Sequence, residues 1–200
     1  MRRISRDERR DPEGVAKLWF ERFLKVAVEP FVIAFSEFGL LFGAHQQNLV
    51  VGLEKGWPEA LYFRDCQGTG YVKEFLPKLR QYLPEAGQAG DHVFPASEAA
   101  RLFGYYLVIN GVFAVISAFA AAGIVEEDEL LAIFQNSLQA LSKQKLSDRS
   151  CVDYLLDTSA LLAKGNFLIA LRDINENTEV TDPLAGYVDL PNPLHAREWA

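Results

Sequence analysis

The stretch LFGYYLVINGVFAVISAFAAAGIV, residues 102–125, decides the fold, because it contains no charged side chain. Its length alone would allow a membrane-spanning helix. However, Asn110, Ser117 and a pair of tyrosines interrupt it, and no other segment of the sequence is comparable. A helix that is apolar on all sides is also what the centre of a helical domain requires. The sequence therefore predicts a central core helix, with Ser97 as its N-terminal cap, and no membrane insertion.

Further helices are predicted on both sides of this run. Asp11-Pro12-Glu13 is typical of a helix start, with a capping side chain, a proline in the first turn and an acid beside it. Pro30 is expected to kink or divide the helix that follows, and Gly39 to end it. The acidic run at 126–129 predicts another helix N-terminus, and apolar spacing predicts a helix over about 150–171.

Two short β-prone runs break this helical pattern. NLVVGL (48–53) and ALYFRD (60–65) flank EKGWPE, which indicates an antiparallel hairpin with a longer loop. Residues 84–95, which include His92, and the tail from 172 onward are expected to be mostly loop.

The predicted fold class is α+β and predominantly α-helical: a helical bundle-like domain with one small antiparallel β-hairpin. We expect one domain over residues 12–200, preceded by a flexible N-terminal tail at residues 1–11.

Composition limits the function classes. Apolar residues make up 50% and charged residues 24% of the 200-residue sequence, which is typical of globular proteins. The net charge of −7 argues against a nucleic-acid-binding protein, although it does not exclude a nucleotide ligand. The two cysteines, Cys66 and Cys151, stand apart, so they predict neither a zinc nor an iron–sulfur site but reduced thiols in a cytoplasmic protein.

Polar side chains precede the first strand of the predicted hairpin, in GAHQQN at residues 43–48. Because alternate residues of a strand face the same side, His45 and Gln47 can be presented together, whereas Asn48 needs a bulge or turn to join them. The alternative is that His45 is a hydrogen-bonded structural histidine beside a turn.

The second strand of the hairpin adds a charged pair to these side chains. If Leu53 pairs near Ala60, then Asn48 lies opposite Asp65, with Arg64 close by. Carboxylate and amide oxygens are ligands suited to Mg²⁺, and histidine with arginine suits a phosphate. The alternative is a surface Arg–Asp pair of little energetic value.

Several ordered segments resemble a known enzyme family. GAHQQNLVV, YFRDCQG, YYLVINGVFAVI, LLAKGNFLIALRD and YVDLPNPL occur in this order between about residues 12 and 195. Together they resemble the C-terminal part of siderophore synthetases of the aerobactin-synthetase (IucA/IucC) type, which work without a nonribosomal peptide synthetase. The resemblance implies a mostly helical, palm-like C-terminal domain that helps form an ATP cleft.

The resemblance also implies a reaction and a set of site residues. Such enzymes use ATP to adenylate a carboxylate of citrate or a related acid, which an amine or hydroxylamine-bearing amine then attacks. By this resemblance His45 would contact the reacting groups and be catalytic. Gln47, Asn48 and Asp65 would hold Mg²⁺ and phosphate oxygens, with Arg64 beside them and Lys164 lining the cleft. A homodimer is compatible with the resemblance.

Some features depart from the family or leave other functions open. Gly43 and Gln67 stand where the family often has acidic residues, which weakens the predicted metal site. The chain lacks a glycine-rich phosphate loop, so it is expected to need an N-terminal synthetase region and to supply only part of an active site. One alternative is a ferric-siderophore reductase or iron-transport protein, and another is a non-catalytic helical scaffold.

Overall fold

The computed structural model describes residues 1–66, 69–165, 171 and 186–195, and most of these residues are helical. The helices are α1 (Arg2–Glu8), α2 (Pro12–Ala27), α3 (Glu29–Phe38), α4 (Leu76–Leu79), α5 (Ala96–Phe103), a π-helical segment (Gly104–Val112), α6 (Phe113–Ala121), α7 (Glu127–Ser142) and α8 (Ser150–Asp157), with short 3₁₀ turns at Gln46–Asn48 and Lys73–Phe75. The strands are β1 (Leu40–Leu41), β2 (Leu49–Glu54), β3 (Trp57–Phe63), β4 (Gly70–Val72), β5 (His92–Phe94), β6 (Ala160–Lys164) and β7 (Tyr187–Pro191). The predicted α+β, predominantly helical class is confirmed.

Local signals set the first helices as predicted. The carboxylate of Asp11 accepts hydrogen bonds from two backbone amides in the first turn of α2. Pro30 lies in the first turn of α3, so the chain divides between α2 and α3. Gly39 ends α3 in a left-handed conformation (φ 64°), and a Cβ there would clash with the side chain of Phe75. Glycine is therefore required at this helix end.

The N-terminal segment differs from the flexible tail expected at residues 1–11. Arg2–Glu8 form α1, and the side chain of Ile4 is buried against Val15 and Trp57. The indole Nε1 of Trp57 donates a hydrogen bond to Oε1 of Glu8 at 2.7 Å. Ile4 and Glu8 thus attach this helix to the rest of the fold.

The uncharged run forms the middle of the fold, as predicted. Residues Ala96–Ala121 make one continuous helix, long and apolar enough to cross a membrane by length and composition, but half of its most apolar window is buried inside the protein. Phe103 packs edge-on against Phe35 at 5.5 Å, and Phe113 packs against Phe134 at 6.4 Å between ring centroids. These contacts place the helix within the hydrophobic core.

The predicted cap of this helix was wrong. Pro95 occupies the N-cap position, because α5 begins at Ala96 and places Ser97 inside its first turn. The backbone N–H of Ala96 donates instead to Oε2 of Glu74 at 3.1 Å.

The hairpin β2–β3 exists, but its predicted register was wrong. Val50 pairs with Tyr62, and a bulge follows Gly52. The turn is the tight pair Lys55-Gly56, both with positive φ, so β3 starts three residues earlier than Ala60. As a result Asn48 lies opposite Arg64 rather than Asp65, and the backbone N–H of Arg64 donates to the carbonyl of Asn48 at 3.1 Å.

The described residues contain two further small sheets in addition to the predicted hairpin. Strands β1, β4 and β5 form a three-stranded sheet in which β4 and β5 run parallel, so His92 lies in a strand and not in a loop. Strands β6 and β7 form an antiparallel pair. Among the described residues three small sheets accompany the helices, where the prediction had one hairpin, and the α+β class itself is unchanged.

The helix predicted over 150–171 ends early, at Asp157. The side-chain amide of Asn192 donates to the carbonyls of Leu155 and Thr158, at 2.9 and 2.8 Å, and so caps the end of α8. Residues 160–164, which were expected to be helical, form β6. This strand pairs with β7, which lies in the tail that was expected to be mostly loop. Residues 67–68, which include Gln67, and residues 166–170, 172–185 and 196–200 lie outside the described residues.

Candidate functional site

A surface cavity of about 290 Å³ lies where the turn before β2 meets the π-helical segment. Its lining residues come from sequence positions some sixty residues apart: His45, Gln46, Gln47, Tyr105, Tyr106 and Asn110. The cavity therefore combines the polar turn that the sequence singled out with the middle of the core helix.

A buried asparagine shapes the polar turn. Asn48 is only 6% exposed, and its Nδ2 donates a hydrogen bond to the carbonyl of Gly43 at 3.0 Å. The same nitrogen lies 3.4 Å from Nε2 of His45. The backbone N–H of Asn48 also donates to the carbonyl of His45 at 2.9 Å. Asn48 thus lies beneath the turn and holds it, while His45 and Gln47 reach the cavity.

The charged pair lies beside the cavity and not in its lining. The Nε of Arg64 donates to the carbonyl oxygen of Gln47 at 3.0 Å, so Arg64 braces the turn from the hairpin side. Asp65 is exposed and has a left-handed backbone (φ 62°), which is uncommon for a residue other than glycine. This conformation turns the chain sharply at the end of β3.

The opposite wall of the cavity is the π-helical segment, whose wider turns are rare and frequently occur at functional sites. Asn110 Nδ2 donates to the carbonyl of Tyr105, five residues earlier, at 3.1 Å. The rings of His45 and Tyr106 lie 6.4 Å apart, so the two walls approach each other through these side chains. An added Cβ at Gly111 would lie 3.7 Å from the carbonyl of Ala44, in ordinary contact, so helix and turn pack closely here.

Lys164 is connected to the cavity indirectly. It pairs with Tyr187 across β6 and β7, and the ring of Tyr187 packs edge-on against Tyr105 at 5.3 Å. Lys164 is half-buried but is not one of the residues that line the cavity.

The structure thus brings His45 and Gln47 into one cavity, places Asn48 and Arg64 as supports of the turn, and leaves Asp65 and Lys164 at its margin. Sequence reasoning missed the other lining residues, which are Gln46, Tyr105, Tyr106 and Asn110. The signal that could have found three of them was present: a tyrosine pair and an asparagine inside an otherwise apolar helix.

The cavity does not form a self-contained metal centre. No carboxylate lines it, and the described residues contain no group of three or more His, Cys, Asp or Glu that could hold a metal ion. Of the predicted ligand set, Asn48 is buried beneath the turn, and neither Asn48 nor Asp65 lines the cavity. The lining instead offers neutral hydrogen-bonding groups and aromatic faces, which suit a polar ligand with a planar part.

Comparison with known proteins identifies related sequences. Residues 17–179 match the family model described as ferric iron reductase FhuF-like transporter. Over 179 residues the chain is 42% identical to N(2)-citryl-N(6)-acetyl-N(6)-hydroxylysine synthase of Vibrio mimicus, which covers 90% of this chain and 30% of that protein. Over 194 residues it is 31% identical to spermidine-citrate ligase of Bacillus anthracis, covering 96% of this chain and 32% of the ligase.

A solved structure has the same fold. ATP-bound aerobactin synthetase IucA from a hypervirulent pathotype of Klebsiella pneumoniae superposes with a TM-score of 0.85 at 31% identity, over 98% of this chain and 33% of that one. The present chain therefore spans about a third of the length of the proteins that it resembles.

Proposed function

We propose that this chain takes part in siderophore biosynthesis. It belongs to the family described as ferric iron reductase FhuF-like transporter, and the relatives reported above are siderophore synthetases and citrate ligases. It acts as the C-terminal part of a cytoplasmic, ATP-dependent synthetase that joins a citrate-like carboxylate to an amine or hydroxylamine-bearing amine. The remaining two-thirds of the synthetase are its main partner. A homodimer is part of the same proposal.

One observation carries this proposal. His45 and Gln47, from the motif that resembles the synthetases, line one cavity with Tyr106 and Asn110. This cavity occurs in a chain that superposes on an ATP-bound synthetase at a TM-score of 0.85. The two curated relatives have names that refer to citrate or a citryl group, combined with different amines. Citrate is therefore the best-supported acid, and the amine is the variable partner.

The proposed reaction has two steps. A carboxylate oxygen of the acid attacks the α-phosphorus of ATP, the bond to pyrophosphate breaks, and an acyl-adenylate forms. The amine nitrogen then attacks the acyl carbon, AMP leaves with the electron pair of the acyl–oxygen bond, and the nitrogen loses a proton. Negative charge moves onto phosphate oxygens in both steps, so fixed hydrogen-bond donors near them lower the barrier.

Each predicted residue has a role in this proposal. His45 and Gln47 contact phosphate or carboxylate oxygens from the cavity wall, while Asn48 and Arg64 hold the turn that carries them. Tyr105 and Tyr106 offer ring faces to a planar group such as adenine. Lys164 and Asp65 would act from the margin of the cavity. Coordination of Mg²⁺ by Gln47, Asn48 and Asp65 remains a prediction, and no step above depends on it.

The two alternatives make different demands. An iron–sulfur reductase would need a set of clustered cysteines. The sequence has two cysteines, of which Cys66 is exposed and Cys151 is buried in the core. The arrangement therefore favours the synthetase. A non-catalytic scaffold would have no need of a nucleotide, so nucleotide binding separates it from the present proposal.

The test is calorimetric titration of the chain with Mg·ATP, followed by assay of ATP–pyrophosphate exchange after addition of the remaining synthetase region and citrate. We expect binding by the chain, weakened by about tenfold or more in His45→Ala, the scale of one hydrogen bond to a charged group. His92→Ala is the matched control, because His92 is exposed in β5 and absent from the cavity lining. No binding, together with unchanged exchange in His45→Ala, would contradict the proposal.

A further inference from the structure

We infer that Asn48 is a positioning residue that holds neutral His45 in the tautomer protonated at Nδ1, so that His45 serves the cavity as a hydrogen-bond donor. The assignment of the tautomer rests on the geometry of the turn. That the donor faces an anionic ligand rests on the proposed function.

The orientation of the Asn48 amide follows from its contact with Gly43. A backbone carbonyl only accepts hydrogen bonds, so the side-chain atom 3.0 Å from the Gly43 oxygen must be the amide nitrogen, Nδ2. The amide nitrogen carries two protons and has no acceptor capacity. Its second proton is available to the other close neighbour, Nε2 of His45, at 3.4 Å.

The state of the histidine ring follows from this orientation. A donor facing Nε2 requires that Nε2 offer its lone pair, so Nε2 carries no proton. The neutral ring has one proton, which therefore lies on Nδ1. Among the residues that the structure describes, no protein group accepts a hydrogen bond from Nδ1 of His45, while the residue itself lines the cavity. The Nδ1–H group is left for a ligand.

The surroundings keep this arrangement fixed. Asn48 is 6% exposed and its Nδ2 donates to the carbonyl of Gly43, so its side chain has little freedom to rotate. A flipped amide would place its oxygen against the Gly43 oxygen, which is repulsive. Arg64 holds the neighbouring carbonyl of Gln47 from outside. The tautomer is thus set by a buried group and not by the ligand.

This arrangement distinguishes between two chemical roles for His45. The Nε2 lone pair is engaged by Asn48, so Nε2 is a poor acceptor for a proton from the attacking amine. The Nδ1–H group is suited to an anionic oxygen, where a hydrogen bond is stronger than between neutral groups. His45 therefore stabilises charge as a donor, and the amine proton leaves to another acceptor.

The tautomer is tested by ¹⁵N-histidine NMR on the chain without nucleotide, at alkaline pH where histidine is neutral. The sequence has three histidines, so the His45 signals are assigned by their loss in His45→Ala, with His92 and His195 as internal references. We expect a protonated, pyrrole-type shift for Nδ1 of His45 and a pyridine-type shift for Nε2. A protonated Nε2 in the wild-type chain would overturn the inference by itself.

The role of Asn48 is tested by Asn48→Asp, which replaces the donating nitrogen by an accepting oxygen. We expect the His45 proton to move to Nε2, and ATP affinity measured by calorimetry to fall about tenfold or more. Asn110→Asp is the matched control: it adds the same charge to the cavity, but Asn110 donates to Tyr105 and not to His45. It should leave the His45 tautomer unchanged.

The outcomes separate this inference from the proposed function. An unchanged tautomer in Asn48→Asp would refute the positioning role. If that variant does not fold, the wild-type spectrum still decides the tautomer. A protonated Nδ1 in a chain that binds no ATP, together with unchanged ATP–pyrophosphate exchange in His45→Ala, would leave the tautomer standing and refute the nucleotide proposal alone.

Discussion

Arg64 holds the backbone of Gln47: its guanidinium Nε donates to the Gln47 carbonyl oxygen at 3.0 Å, across the end of the hairpin. The backbone N–H of Arg64 also donates to the carbonyl of Asn48. Arg64, which follows β3 directly, therefore binds two successive residues of the turn, Gln47 and Asn48. The shape of this cavity wall therefore depends on a residue that does not line it.

Substitution Arg64→Ala should weaken nucleotide binding more than it weakens the fold. The side chain is exposed, so we expect the free energy of unfolding to fall by less than about 1 kcal/mol. We expect the affinity for Mg·ATP to fall several-fold, because the turn that carries Gln47 loses its brace. Urea unfolding and calorimetric titration measure the two effects. Arg149→Ala is the control, since Arg149 makes an exposed pair with Asp153; equal effects of both variants on binding would refute the role of Arg64.

Substitution Asn192→Asp should destabilise the fold strongly. It keeps the oxygen that accepts from the Leu194 N–H but replaces the nitrogen that donates to the carbonyls of Leu155 and Thr158. One buried and one partly buried carbonyl then face a carboxylate, and we expect a loss of about 2–4 kcal/mol in the free energy of unfolding. Urea denaturation monitored by circular dichroism measures it. The exposed Asn136 on α7 provides the control, Asn136→Asp, which should change stability by less than about 0.5 kcal/mol.

The contact between Glu37 and Ser147 should make stability depend on pH. Hydrogen bonds from the Ser147 hydroxyl (2.6 Å) and backbone N–H (2.9 Å) hold the pKa of Glu37 below its ordinary value of 4.5. A carboxyl group with a lowered pKa in the folded state stabilises the protein fully above its unfolded-state pKa, and this contribution is lost as pH falls through the folded-state pKa.

Glu37→Gln should therefore be less stable than the wild type at neutral pH, and the difference should shrink as the pH falls below 4.5. Urea midpoints over a series of acidic pH values measure this, with Glu59→Gln, an exposed residue of β3, as the control. A difference that stays constant down to strongly acidic pH would contradict the assignment.

The two thiols should differ sharply in reactivity. Burial raises the pKa of the Cys151 thiol to about 12, and its sulfur lies 3.8 Å from the hydroxyl of Ser36 in the core. Cys66 is exposed. At neutral pH a disulfide reagent should modify one thiol of the native chain rapidly and the second only after unfolding, because the thiolate is the reactive form. Cys66→Ser should abolish the fast phase; a fast phase that persists would show that the core opens readily.

The local part of this fold could be predicted from the sequence. Asp11, Pro30 and Gly39 act through their own backbone and side-chain chemistry, and each has the expected effect on a helix end. The position of the hairpin was also predictable, but not its register. The register depends on a two-residue turn at Lys55-Gly56 and on a bulge. Leu49, Val50 and Val51 are all apolar, so β2 lacks the polar–apolar alternation that would distinguish one register from its neighbour.

The strands formed by distant pairing could not be predicted. The run Ala160–Lys164 suits a helix or a strand equally well by its apolar character, and it becomes β6 because it pairs with Tyr187–Pro191, far along the chain. The side chain of Asn192 then closes the preceding helix, an effect that no pattern within residues 150–171 contains.

The candidate site was half predictable for the same reason. His45 and Gln47 were found because they adjoin a recognisable strand. Tyr105, Tyr106 and Asn110 belong to a helix that the apolar pattern assigns to the core, and only the wider turns of the π-helical segment present them to the cavity. Hydrophobic periodicity does not distinguish such a segment from an α-helix.

The π-helical segment also sets the directions in which the side chains of α5, before it, and of α6, after it, point around the helix axis. Each residue of an α-helix advances the side-chain direction by about 100°, whereas a π-helical residue advances it less. The length of Gly104–Val112 therefore fixes the angle between Phe103, which packs on Phe35, and Phe113, which packs on Phe134. Loss of one residue with a return to α geometry would turn α6 away from α7. In this part of the chain insertions and deletions should be far less tolerated than substitutions, because the number of residues sets the orientation of both the core side chains and the cavity side chains.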